Sequence, residues 1–188
     1  MTYKGKHDTW FFNGAKATYG VFDAAAVVEY SAIPPFTVDL ADATHGLLAL
    51  SQLYILGSTY YNGLTSILSL PDANSMVVYC DKYVAENLTT NALWKTMYSS
   101  PHPFEFLGFE VTLDAVCANT ENLTITIDAD WSSKFDNRIY TKAMNGVQWI
   151  NNMFDEPRQC MGGDRVDIAW ANAGSKGWGI KIFTRRTS

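Results

Sequence analysis

The chain has 188 residues and a net charge of −5, which sets aside a broad nucleic-acid-binding face, because such faces need clustered lysine and arginine. Apolar residues make up 47% and charged residues only 18%, below the usual quarter, so part of the surface is expected to be covered by another chain. The longest apolar run, Gly46 to Gly57, is too short for a membrane span and is broken by Ser51 and Gln52, and a chain of this length holds one well-buried core.

Residues 1–9 read as an arm, in which Lys4, Lys6 and His7 precede the first acid and Tyr3 is the only large ring. A frayed terminus is the commoner outcome for such a stretch, and a short basic arm containing glycine also suits a protein that ties itself to a neighbour. No apolar leader is visible in it, so synthesis in a cytoplasm is expected. Trp10, Phe11 and Phe12 open the folded part, taken as one domain over residues 10–188, and Asn13-Gly14 predicts a tight turn before Thr18 to Phe22, an opening hairpin. Asp23 to Ala26 suits a single helical turn or a bend. Val27 to Tyr30 is extended and ends before Pro34-Pro35, a pair that a central strand does not accept.

Phe36, Val38 and Leu40 alternate with Thr37 and Asp39 as a strand does. Leu47 to Leu56 fits either period, and its flanking glycines with Tyr54-Ile55 favour a strand. Ser58 to Asn74, rich in Tyr, Gly, Ser and Asn, reads as a long surface loop with short strands, of the kind that carries contacts. Ser75 to Cys80 is a further strand. Asp81 to Ser99 is the best helix candidate, because Val84, Leu88, Ala92 and Leu93 fall on one side of a helix. Ser99 to Pro103 then forms a stiff connector.

From Glu105 onward the alternation is cleaner. Leu107, Phe109, Val111 and Leu113 sit two apart with Gly108, Glu110, Thr112 and Asp114 between them. Leu123, Ile125 and Ile127 repeat the pattern, as do Val166, Ile168 and Trp170, and Trp178, Ile180 and Ile182. Gly162-Gly163-Asp164 and Asn172 to Ser175 supply turns. Together these strands predict an all-β chain, an antiparallel β-sandwich of jelly-roll-like form with at most one or two short helices.

Chemical signatures are sparse. Cys80, Cys117 and Cys160 lie far apart, which suits three buried thiols better than a zinc site or a disulfide framework. His7, His45 and His102 stand in unrelated contexts, without HExxH, GxSxG or serine-triad spacing. Asp128, Asp130 and Asp136 with Asn137 make an oxygen-rich run that invites a Ca²⁺ reading, but the EF-hand pattern is not met and solvated loop acids are expected. Glu110 and Asp114 share a strand face, as a glycosidase pair would, an arrangement that also arises by chance in most sheets. No catalytic group, cofactor or metal is expected. Tyr60, Tyr61, Trp131 and Trp149 fall in loops or near strand ends, where a lectin would stack them on sugars and an assembling subunit would bury them against its neighbour.

The succession from Phe104 to Asp114, then Thr120 to Asp128, Gly163 to Ile168 and Trp178 to Ile180, resembles small structural proteins of tailed bacteriophages. The resemblance covers residues 104–183. It implies a non-enzymatic decoration or cement subunit in the virion, made in the host cytoplasm, which stabilises a shell by binding across joints between capsid proteins. The implied partners are the major capsid protein or other virion proteins and further copies of the chain, most simply as a trimer, without nucleic acid or membrane. Tyr3, Lys4, Lys6, Trp10, Phe11 and Phe12 are then expected to face the capsid, and Tyr60 and Tyr61 a neighbouring subunit. A carbohydrate-binding, lectin-like sandwich is the alternative.

Overall fold

The computed structural model describes residues 7–14, 18–31, 35–42, 45–48, 51–89 and 92–187. In chain order the strands are β1 (His7–Gly14), β2 (Tyr19–Val21), β3 (Val28–Ser31), β4 (Thr37–Ala41), β5 (Gln52–Leu56), β6 (Gly63–Asp72), β7 (Ser75–Tyr79) and β8 (Leu93–Lys95). They continue as β9 (Met97–Ser99), β10 (Phe104–Leu113), β11 (Asn122–Asp128), β12 (Asn137–Ala143), β13 (Trp149–Cys160), β14 (Arg165–Ala169) and β15 (Trp178–Arg186). One 3-10 turn, Ser133–Phe135, is the only helical element among the described residues. The chain is therefore all-β, and every strand pair is antiparallel.

The sandwich is built from two four-stranded sheets, β1-β15-β10-β13 and β12-β11-β14-β9. From β9 onward every connection crosses between these sheets except the β11–β12 hairpin, which gives the jelly-roll-like path. Their inner faces meet through Phe104, Phe106, Phe109, Val111, Ile180 and Ile182 on one side and Leu123, Ile125, Val166 and Ile168 on the other, all buried. A third sheet, β2-β8-β5-β6-β7-β4-β3, takes up the N-terminal half. The strip 93–99 belongs to two sheets. β8 pairs with β2 and β5, and after Thr96 β9 pairs with β14. Thr96 itself donates to Thr18 O (2.7 Å) and accepts from Ile168 N–H (3.2 Å), so the backbone ladder is handed from one sheet to the next without a gap.

An aromatic chain ties the parts together. Phe12 stacks on Trp94 at 6.2 Å and on Trp178 at 4.9 Å, and Trp178 meets Trp170 edge-on at 5.9 Å. Asp42 accepts the Trp94 indole N–H at 2.5 Å. Gly20 leaves room for that indole, since a Cβ there would lie 2.5 Å from it. The buried side chains of all three sheets form one continuous cluster.

Several expectations are corrected. β1 pairs with β15 in place of a hairpin with the following strand, and it begins at His7, inside the stretch read as an arm. The helix expected over Asp81 to Ser99 is absent: Ala92, Trp94 and Thr96 are buried and Leu93 and Lys95 half-buried, a period of two that makes β8 and β9. Ser58 to Asn74 is mostly the ten-residue strand β6, not a loop. In β10 the phase slips at Leu107-Gly108, where both neighbouring strands shift register. Phe106 and Phe109 face the core and Leu107 does not. This is a β-bulge at a glycine with φ +152°, and a Cβ there would meet Asn152 O at 2.4 Å. Pro34 lies outside the described residues.

Candidate interaction surface

The loop between β11 and β12, residues 129–136, is held from beneath by charge and backbone. Arg165, on β14, donates to Asp128 (3.5 Å) and Asp130 (3.2 Å). Asp164 accepts the Asp130 N–H at 3.1 Å and the Met161 N–H at 2.7 Å, tying the β13–β14 turn to the same loop. Asp136 accepts the Ala129 N–H at 3.0 Å, and the Ser132 hydroxyl caps the 3-10 turn by accepting the Lys134 N–H at 3.3 Å. Gly163, at φ +95°, passes so close to Asp130 that a Cβ would lie 2.9 Å from its carboxylate.

This scaffold spends its polar groups inward and turns its large apolar groups outward. Trp131 is 93% exposed, and Phe135 and Met161 are each 69% exposed. With Ile127 at the base, and Asn137 and Gln159 at the rim, they line an open cleft of about 680 Å³. Large rings held in water by an ordered loop make a candidate interaction surface, because their exposure gains nothing for the isolated fold.

The chain matches no family model, no curated protein and no solved structure. The surface therefore has to be read from its own chemistry.

The residues expected to face the capsid or a subunit divide. Tyr3, Lys4 and Lys6 lie outside the described residues. Trp10 and Phe11 are in β1, opposite Ile182 and Lys181. Phe12 is buried without residual exposure between Trp94 and Trp178 and is corrected from a contact to a core residue. Tyr61 is corrected likewise: it is buried, its hydroxyl donates to Val84 O (2.5 Å) and accepts from Val84 N–H (2.8 Å). Tyr60 is 58% exposed, and its N–H is tied to Glu86 at 3.2 Å. Glu86 also accepts from the Ser58 hydroxyl (2.8 Å) and Thr59 N–H (2.5 Å). Burial opposes its ionisation, but the Thr59 N–H, the Ser58 hydroxyl and the Tyr60 N–H outweigh it and hold its carboxyl below the ordinary range.

The other chemical readings find little support in geometry. Asp128, Asp130 and Asp136 are engaged by Arg165 and by backbone N–H groups, and no cluster of three or more metal-ligating side chains occurs among the described residues. Glu110 and Asp114 line one shallow depression. However, Glu110 accepts from the Trp149 indole (3.1 Å) and Lys181 (3.2 Å), which hold its carboxyl low, the opposite of what a proton-donating glycosidase acid needs. His45 is buried and satisfied, with Nε2 donating to Asp72 O (3.2 Å) and Nδ1 accepting from Leu47 N–H (3.0 Å). Cys80, Cys117 and Cys160 are free thiols, with Cys80 only half-buried.

Phe135 and Met161 are site residues that periodicity does not reveal. Their one signal is position: each is a lone large apolar residue in a polar turn, Ser132 to Asp136 and Met161 to Asp164.

Proposed function

We propose that this chain is a non-enzymatic structural subunit that docks onto a neighbouring protein of a larger assembly through the Trp131, Phe135 and Met161 surface. A virion shell decorated or cemented by such subunits is the assembly that fits the resemblance of residues 104–183. The observation that carries the reading is the exposure of Trp131 and Phe135 on the 129–136 loop and of Met161 on the β13–β14 turn, two segments tied together by Arg165, Asp130 and Asp164. A tryptophan and a phenylalanine centred in a patch have the composition of an interface hot spot. The flanking Asp128 and Asp130 are paired with Arg165, and Asp136 is offset by Lys134 within the loop, so the complementary socket is apolar.

The test adds purified chain back to particles that lack it and measures co-sedimentation. Replacing Trp131 and Phe135 together by alanine removes two anchors of about 2 kcal/mol each, so binding falls by at least about a hundredfold. Undiminished binding by that variant, still folded, overturns the reading. A second reading, sugar binding, is favoured by one observation, the exposed Trp131 ring sharing its cleft with the amide side chain of Asn137. A glycan array bound by the chain and lost on Trp131→Ala selects it.

A further inference from the structure

β13 is the longest strand among the described residues, at 12 residues, and it lies at the outer edge of its sheet, paired with β10 alone. An edge strand presents unpaired N–H and C=O groups, and proteins ordinarily blunt such edges with charge or proline. The two halves of β13 differ in this respect. Its second half carries Asp155, Glu156, Pro157 and Arg158, whereas Trp149 to Phe154 contains neither a charge nor a proline. The neighbouring edge of the opposite sheet, β12, is guarded by Arg138 and Lys142. The first half of β13 is thus a sheet edge left open beside a guarded one.

Its outward face is apolar as well. Trp149 is 58% exposed and Met153 53%, with exposed Asn151 between them. We infer that β13 pairs antiparallel with β13 of a second copy of this chain, about a twofold axis perpendicular to the sheet at Asn151. A twofold axis needs a self-complementary strand, and it keeps outward side chains opposite outward side chains. Centred at Asn151, the register sets Trp149 of each copy opposite Met153 of the other, so the four exposed apolar groups pack as two cross-strand pairs. The same register sets Asp155 opposite Val147 and Glu156 opposite Gly146, so no like charges oppose one another. The two four-stranded sheets then become one continuous sheet of eight strands. The pairing deepens the assembly reading by naming a second copy as partner, and makes a dimer, not the trimer expected from the resemblance, the building unit. It uses residues separate from the Trp131 surface.

The test uses the isolated full chain. In a Cys80→Ser background, Asn151→Cys places one thiol from each copy on the axis. Directly opposed residues of an antiparallel pair have Cα atoms about 4.5–5.5 Å apart, within the range a disulfide spans. The expected result is a covalent dimer under mild oxidation with Asn151→Cys and none with Asn145→Cys, which is also exposed but off the strand. Sedimentation velocity of the otherwise unaltered chain should show a dimer, and Met153→Asp should weaken it at least tenfold by placing a carboxylate against the partner's Trp149, whose indole already meets Glu110. A chain monomeric at all concentrations, or a dimer that neither crosslinks through Asn151→Cys nor responds to Met153→Asp, overturns the inference. A dimer that fails to bind particles counts against the assembly reading and leaves the pairing intact. A monomer that binds particles does the reverse.

Discussion

Phe12→Ala is the substitution that best separates a core role for β1 from a contact role. The ring has no residual exposure and lies between Trp94 of the N-terminal sheet and Trp178 of the sandwich. A buried phenylalanine removes about 150–250 Å² from water, worth about 4–6 kcal/mol at about 25 cal/mol per Å² as an upper bound. Phenylalanine-to-alanine changes in well-packed cores cost about 3–5 kcal/mol once the cavity is included. A loss of about 4 kcal/mol is therefore expected, and in a chain of this size it lowers Tm by about 8–16 °C. Urea unfolding followed by tryptophan fluorescence reads it directly, with the midpoint moving and the slope unchanged. A surface contact residue would change stability by no more than about 0.5 kcal/mol. A loss below about 1 kcal/mol refutes the packing of β1 against Trp94 and Trp178.

Gly108→Ala tests the bulge in β10: with φ at +152° and Asn152 O in the way of a Cβ, a loss of about 3 kcal/mol or more in the same assay is expected, and a neutral effect contradicts the register shift. Burial, with the charge of Asp164 adding to it, pushes the Cys160 thiol up to about 12, so iodoacetamide at pH 8 should leave Cys160 unlabelled in the native chain and label it in denaturant; peptide mapping that finds native Cys160 alkylated rules this out. Glu105, held low by Gln159 and then Arg185, and Glu110, held low by Trp149 and then Lys181, have folded values below their unfolded ones. Their stabilisation is present above about pH 4.5 and is lost as pH falls through the folded values, so replacing both by glutamine should flatten the acid limb of a stability profile, and an unchanged limb argues against these pairs.

The strands most legible in the sequence are those with one face in the core and the other in water. β11 and β14 alternate without interruption, and each inward residue named for them is buried. β10 was legible as a strand but not in phase, because the bulge at Leu107-Gly108 inserts one residue and sends Phe104 and Phe106 inward along with Phe109. β13 escaped because an edge strand buries little: Ile150 and Cys160 are its only buried residues, and Asn151, Asn152, Asp155, Glu156 and Pro157 break any apolar alternation between them. β6 was concealed for a related reason, with Ile67 alone fully buried. The helix expectation over Asp81 to Ser99 arose because Val84, Leu88 and Ala92 are spaced four apart by chance. Leu88 is buried where the chain runs beside Ala25 and Ala26, and Ala92 and Trp94 are buried at strand spacing. Of the candidate surface, Trp131 could be picked out as a loop ring, whereas its neighbours Phe135 and Met161 depend on the three-way tie of Arg165, Asp130 and Asp164, which joins segments more than thirty residues apart.

Hydrogen–deuterium exchange of the chain free and bound to particles tests the central claim most directly. Docking through the exposed rings predicts protection concentrated at residues 129–137 and 159–163, with the depression beside Glu110 and Asp114 unchanged. Particle-bound chain whose exchange at 129–137 is the same as in free solution contradicts it.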